Sequence, residues 1–129
     1  MSAYYDALMA VKNMALAAQT EYDRIFVGAL PDPDSMCMVP SAGAIEDTTL
    51  DLHGVWNLDV VLNAKHRLQA NVINALADVH QTISHTKNLP RGDGWQVLAV
   101  FTSSAPTFIE YDGDQWLYGS GLEVHIAID

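Results

Sequence analysis

The chain has 129 residues, with 6 basic and 16 acidic side chains and a formal net charge of −10. This length favours a single domain over residues 1–129. The acidic balance argues against a nucleic-acid-binding module and against an anionic membrane surface as partner, because both would need a basic patch. Cys37 is the only cysteine, so no disulfide can form within the chain.

The first half of the chain predicts one helix followed by three strands. Residues 3–19 are rich in alanine and carry apolar side chains on one helical face. Residues 24–30 and 36–39 suit short strands, each stopped by a following proline, which lacks the N–H donor of a strand. Residues 49–63 then predict a long strand.

Apolar and polar side chains alternate over residues 49–63, so they separate onto two faces. The apolar face predicts a core set of Leu50, Leu52, Trp56, Leu58, Val60 and Leu62. Asp51, His53 and Asp59 point the other way, but Val55 and Val61 interrupt that polar face. We therefore expect part of the polar face to be covered, with these two valines as candidates for contact with another subunit.

The second half predicts one helix and three more strands. Asn63 is a plausible N-cap for a helix that ends before Pro90 and has its apolar stripe at Leu68, Val72, Ala75, Leu76, Val79 and Ile83. Residues 95–102 and 107–111 predict strands, joined by a turn at 103–106. Asp112-Gly113-Asp114 indicates a tight hairpin into a last strand over 115–128.

These elements predict an α+β fold of order α-β-β-β-α-β-β-β. Runs of hairpin-connected strands favour a mainly antiparallel sheet. We expect a twisted sheet of about five to six strands, with both helices packed on one face.

The placement of two aromatic residues in the last strand stays open. Trp116 has the parity of the apolar set that includes Leu122 and Val124, which predicts a core position. If Gly119 or Gly121 forms a bulge, however, the parity flips. Trp116 and Tyr118 would then become exposed interface anchors, a role for which aromatic residues are preferred.

The sequence carries no dense catalytic or cofactor motif. Cys37 lies in an apolar run without a basic neighbour to activate its thiol. Gly119-Ser120-Gly121 lies inside a predicted strand rather than before a helix, so it does not predict a phosphate loop. We expect no catalytic residue, no cofactor and no metal.

A metal or ligand site is the main alternative. His53 shares a strand face with Asp51 and Asp59, and His125 shares one with Glu123. If those strands were neighbours, imidazole and carboxylate could meet at zinc distances. A small α+β binding module or enzyme would then use His53, Asp51 and Asp59, although solvated polar side chains account for the pattern more simply.

Three stretches carry a resemblance to a known family. They are Cys37-Met38-Val39-Pro40-Ser41-Ala42-Gly43, the strand and helix over 50–83, and Trp116-Leu117-Tyr118-Gly119-Ser120-Gly121-Leu122-Glu123-Val124. In the order and length of its elements, the chain resembles the minor capsid or tail-terminator proteins of long-tailed bacteriophages (siphophages). With the first helix, the resemblance covers nearly the whole chain.

The resemblance implies a structural role in the virion. Tail terminators form a hexameric ring on the tail tube, end its polymerisation and provide the surface that joins tail to head. The implied partners are further copies of the chain, the tail tube protein and a head-completion or connector protein, with DNA as passing cargo and no membrane. The protein would be made in the host cytoplasm, and acidic residues would line the channel. Another head–tail connector protein is a further alternative.

Overall fold

A computed structural model describes residues 2–30, 33–40, 44–46 and 54–128, with the backbone alone for 44–46. Helix α1 covers Ala3–Ala17 and helix α2 covers Gln69–Ser84. The strands are β1 Ile25–Val27, β2 Ser35–Pro40, β3 Ala44–Glu46, β4 Gly54–His66, β5 Arg91–Gly92, β6 Trp95–Asp112 and β7 Gln115–Ile128. No helix in these ranges is long and apolar enough to span a membrane.

The strands form one sheet in the order β1-β2-β4-β7-β6-β5. Strand β3 also pairs with β4, next to β2. Every pair is antiparallel except β1 with β2, which is parallel. The predicted α+β class and mainly antiparallel sheet are therefore confirmed, although the sheet is mixed. The predicted element order gains the short strands β3 and β5.

Both helices pack on the same face of the sheet, which we call the helix side. Apolar residues at helical spacing on α1 and α2 meet alternate residues of β2, β4 and β7 in one core. The completely buried side chains include Met36, Met38, Val60, Leu62, Val72, Leu76, Val79, Leu122 and Ile126. Each large aliphatic side chain buried there contributes about 1.5–3 kcal/mol. The face opposite the helices carries the other strand residues, and we call it the open face.

The junction between β4 and α2 differs from the prediction. Asn63 is not the helix N-cap, because β4 continues to His66 and Asn63 pairs with Cys37 and Gly119 on its two neighbours. Leu68 occupies the N-cap position without a side-chain cap. Ladder hydrogen bonds to two adjacent strands outweigh the single bond that an N-cap supplies.

The predicted turn at 103–106 is also wrong. Residues 95–112 form the single strand β6, with register shifts against β7 at Val97/Ala99, Thr102/Ser104, Ser104/Thr107 and Phe108/Glu110. These bulges absorb the extra residues, and Pro106 is tolerated because proline can lie on the edge of a sheet. The hairpin is confirmed, with Gly113 at φ 54° and Asp114 at φ 68°, as a type I′ turn requires.

Candidate functional site

Strand β6 carries an unusual number of exposed apolar side chains. Of nine large hydrophobic residues that are exposed in the described part of the chain, five lie on this strand: Leu98, Phe101, Phe108, Ile109 and Tyr111. Between 42% and 53% of each side chain remains accessible. Phe108 and Tyr111 contact helix-side rings, whereas Phe101 and Ile109 lie against open-face residues, so what the five share is the strand itself rather than one face.

The same strand is an edge of the sheet. Strand β7 lies along one side of β6, whereas β5 on the other side pairs only with Trp95 and Gln96. From Val97 to Asp112, no strand among the described residues lies on that second side. Proteins usually protect such edges with charged side chains, especially lysine. Strand β6 contains no lysine or arginine, and only its bulges and Pro106 interrupt it.

Aromatic rings pack against one another in the part of the β6–β7 hairpin that lies next to its turn. The ring of Phe108 lies 6.1 Å from that of Trp116 and 5.7 Å from that of Tyr118, between centroids. The Tyr111 ring lies 4.7 Å from that of Trp116. These separations suit favourable edge-to-face or tilted aromatic contacts. Half of Phe108 and of Tyr111 nevertheless faces outward, so the hairpin presents a preformed aromatic surface.

Trp116 and Tyr118 lie on the helix side. The pairing of β7 with β4 is continuous from Trp116 to Ile128, so the bulge that would have flipped their parity does not occur in β7. Tyr118 is buried, and its hydroxyl accepts a hydrogen bond of 2.8 Å from Nε2 of Gln69. Trp116 is half-buried against the core. Their role as interface anchors stays a prediction, and the more exposed aromatic rings are those of β6.

Val55 and Val61 are half-buried on the open face. Val61 lies between Val39 and Gly121 in the sheet and lines a cleft of about 420 Å³. The other walls of the cleft are formed by Asp59, Asn63, Ser103, Ser104, Thr107, Ile109 and Gly119. A contact between another subunit and these two valines stays a prediction.

The cleft is packed tightly where β6 curls over β7. A Cβ atom on Gly121 would lie 2.5 Å from Oγ of Ser103, and one on Gly119 would lie 2.8 Å from Cδ1 of Ile109. Both glycines thus permit a close approach of β6 that a side chain would obstruct. The predicted irregularity at these glycines is real, but its bulges belong to the opposite strand.

The residues of the alternative metal site are only partly brought together. Asp51 and His53 lie outside the described residues, and Asp59 is exposed on the open face directly opposite Glu123. Nε2 of His125 lies 2.7 Å from Oε2 of Glu123. The strands are neighbours, as that hypothesis needed. Within the described ranges, however, no three His, Cys, Asp or Glu side chains could hold one metal ion.

Two of the buried titratable side chains, Cys37 and His80, have pKa values shifted by burial. Burial raises the pKa of the Cys37 thiol, against the smaller effects of a backbone hydrogen bond from Asn63 and of the Lys65 charge. The thiol is therefore protonated and unreactive at neutral pH. Burial lowers the pKa of His80, whose Nδ1 shares a hydrogen bond of 2.7 Å with Oγ1 of Thr102. Its Nε2 has no hydrogen-bond partner among the described residues.

Asp34 ties the start of β2 to the β6–β7 hairpin. Its backbone N–H donates to Oε1 of Gln115 at 2.8 Å, and its Oδ1 accepts from the Arg67 backbone N–H at 3.0 Å. Burial alone would raise the pKa of Asp34, but hydrogen bonds donated to its carboxylate by the Arg67 backbone N–H and by Nε2 of Gln115, with the charges of His66 and Arg67, lower it. The carboxylate is thus ionised at neutral pH, and it holds Gln115, the first residue after the hairpin turn.

Charge is unevenly distributed over the sheet. The six basic residues are Lys12, Arg24, Lys65, Arg67, Lys87 and Arg91, so none lies between residues 92 and 128. The hairpin tip carries exposed Glu110, Asp112 and Asp114. Arg24, at the opposite edge of the sheet, places its guanidinium 4.3 Å from the Phe26 ring centroid.

Sequence reasoning missed the exposed side chains of β6. The sequence predicts strands over 95–102 and 107–111, which contain all five residues, but a pattern of apolar residues does not say which strand lies at an edge. One usable signal was present: residues 92–128 contain no lysine or arginine that could guard an edge.

No protein-family model and no curated protein matches the sequence. The fold is similar to that of a chain in the solved virion of a native gene transfer agent particle, with a TM-score of 0.52 and 14% sequence identity. The alignment covers 97% of this chain and 92% of the other. The similarity thus defines the class of fold over almost the whole chain, and at this identity it concerns the fold alone.

Proposed function

We propose that this chain is a structural virion protein and, more specifically, a tail terminator. The observation that carries the proposal is the similarity of its fold, over 97% of the chain, to a virion chain. The independent resemblance of its sequence to tail terminators of long-tailed phages leads to the same class of protein. In this role the chain works by assembly, not by catalysis.

The proposed terminator is a hexameric ring that caps the tail tube. A long exposed edge with five outward apolar side chains supports self-association. Head-to-tail contacts between unlike edges close into rings when the rotation closes. The number six comes from the family resemblance. One face of the ring would end tube polymerisation, and the other would join the head-completion or connector protein.

The acidic balance suits a ring through which DNA passes. The net charge of −10 opposes adhesion of a phosphate backbone, which binds proteins mainly through lysine and arginine. The exposed Asp112 and Asp114 are candidates for the channel wall. DNA is then cargo rather than a ligand, and the protein, made in the host cytoplasm, ends in the virion. A ring with a basic channel would contradict this part of the proposal.

The test is the mass of the purified chain by size exclusion with light scattering, over a concentration series, with negative-stain imaging of the largest species. The expected species has about six times the 14.1 kDa chain mass and a central hole. A chain that stays monomeric at every concentration would contradict ring formation. A screen of metals and small ligands would then test the binding-module alternative.

A further inference from the structure

The two outer edges of the sheet are unlike each other. Strand β1 lies at one end of the strand order, and β6, apart from the short β5, lies at the other. Val27 on β1 is exposed, as are five large apolar residues on β6. Unlike edges at opposite ends are the arrangement that lets one copy follow another head to tail.

The strand directions make these edges compatible. Strand β2 runs parallel to β1, and each later step, to β4, β7 and β6, reverses the direction. Strand β6 therefore runs opposite to β1. If the sheet of one copy continues into the next with the same side up, β6 meets β1 of the next copy as an antiparallel pair, which is the more stable pairing.

The register places one charged residue of each edge in the same row. Ser35 pairs with Lys65, Lys65 with Leu117, and Leu117 with Glu110. Because Ile25 pairs with Met36, the residue before it, Arg24, lies level with Ser35. If the strands run parallel to the axis of a ring, rotation about that axis keeps every residue at the same height along it. Residues that lie level across the sheet of one copy are then also level with the same residues of the next copy. Arg24 of that copy would thus face Glu110.

The two side chains also lie on the same face. Ile25 is buried in the core, so Arg24 and Phe26 point to the open face. Glu110 is paired with Leu117, which alternates with the helix-side residues Trp116 and Tyr118 and so belongs to the open face too. Rotation about a ring axis leaves the same face of the sheet pointing towards, or away from, the axis in every copy. Cross-strand pairs of opposite charge on one face stabilise sheets.

The charges favour contact between unlike edges over contact between like ones. Strand β6 carries Glu110 and Asp112 and no basic residue, so pairing β6 with β6 would bring two acidic strands together. Arg24 is exposed and forms no ion pair with another described residue. It is therefore available to a carboxylate of a second copy.

We propose that successive copies join by pairing the β6 edge of one with the β1 edge of the next, Arg24 facing Glu110. This inference rests on the proposed ring and names its contact surface. Within one chain, Arg24 and Glu110 are four strand spacings apart, about 19 Å at roughly 4.8 Å per spacing. No ion pair joins the two side chains within the described chain.

A charge exchange tests the contact. Arg24→Glu and Glu110→Arg should each raise the dissociation constant of the assembly roughly tenfold, because an attraction becomes a repulsion. The double variant Arg24→Glu with Glu110→Arg restores opposite charges and should recover association. Lys87→Glu and Asp78→Arg are the matched controls, since both positions are exposed and lie outside β1 and β6. Circular dichroism of each variant verifies the fold.

A disulfide experiment locates the contact directly. A chain with Arg24→Cys is mixed, under mild oxidation, with a size-tagged chain carrying Glu110→Cys. A mixed cross-linked dimer is expected, because directly opposed residues bring Cβ atoms within disulfide reach. The native Cys37 is buried and should not compete. Cross-linking of the Glu110→Cys chain with itself would instead indicate pairing of β6 with β6 and overturn the inference.

The outcomes separate this inference from the proposed function. If the native chain forms rings and the single charge variants match their controls, the contact is wrong and the ring stands. If the native chain forms no ring, the terminator proposal fails. The mixed disulfide then decides the contact alone: its formation supports edge pairing in an open chain of copies, and its absence overturns it.

Discussion

Replacement of Phe108 by serine should weaken association of the chain with further copies. Half of this side chain is accessible. A phenylalanine can bury about 200 Å², so about 100 Å² remains for a second copy to cover. At about 25 cal/mol per Å², complete coverage is worth about 2.5 kcal/mol, or roughly 70-fold in the dissociation constant. Even if a second copy covers only part of this area, the substitution should raise the dissociation constant about tenfold.

The monomer should lose stability as well. The inner half of the Phe108 ring contacts Trp116 and Tyr118, and the two aromatic contacts, at about 0.5–1.5 kcal/mol each, together contribute about 1–3 kcal/mol. Association is measured by sedimentation equilibrium and the free energy of unfolding by urea titration. Leu68→Ser is the matched control, because Leu68 is 55% exposed and is the N-cap residue of α2 rather than a residue of β6. If Phe108→Ser changes the dissociation constant no more than Leu68→Ser does, β6 is not the association surface.

Three further predictions concern the fold that supports this surface. Leu76→Ala should lower the free energy of unfolding by about 3 kcal/mol in urea titration, because Leu76 is fully buried, whereas Ile73→Ala on the exposed side of the same helix should cost much less. Gly113→Ala should cost about 1 kcal/mol because φ at Gly113 is 54°, and Asp114→Gly, at φ 68°, should be neutral or stabilising by thermal melting. Burial lowers the pKa of His80 below its ordinary 6.5, so the unfolded chain binds the proton first and stability should fall as the pH drops below about 6.5. His80→Leu should flatten that pH dependence in urea midpoints, and an unchanged slope would refute the assignment.

The parts of the fold that the sequence predicted well are those with a local periodic signal. Leu58, Val60 and Leu62 on β4 are buried, as their alternation predicted, and Trp56 is half-buried, whereas Leu50 and Leu52 lie outside the described residues. The stripe of α2 is likewise buried at Val72, Ala75, Leu76, Val79 and Ile83, but Leu68, which was predicted to belong to it, is exposed. A period of two or of 3.6 residues is a property of one segment and needs no knowledge of its neighbours.

The parts that it predicted poorly depend on contacts between distant segments. Asn63 reads as a helix cap alone, but two neighbouring strands hold it in β4. Ser103 to Pro106 reads as a turn, but its bulges let β6 continue along β7. The parallel pairing of β1 with β2 leaves no local mark either. For the same reason, the sequence indicated apolar residues on β6 without revealing that they line an edge.

The acidic composition and the bare edge of β6 are best understood together. A long apolar edge without lysine invites uncontrolled pairing in solution, and proteins that keep such an edge need another means of restraint. A net charge of −10 supplies one, because copies repel one another at the range of the Debye length, about 10 Å at 0.1 M salt. A basic residue on β6 would guard the edge permanently, since it would remain after assembly. Repulsion between whole copies can instead be overcome by a sufficiently favourable contact. A contact of β6 with β1 buries apolar area and brings Arg24 opposite Glu110. A contact between two β6 strands buries apolar area but brings acidic side chains together. The distribution of charge therefore selects which pairing occurs.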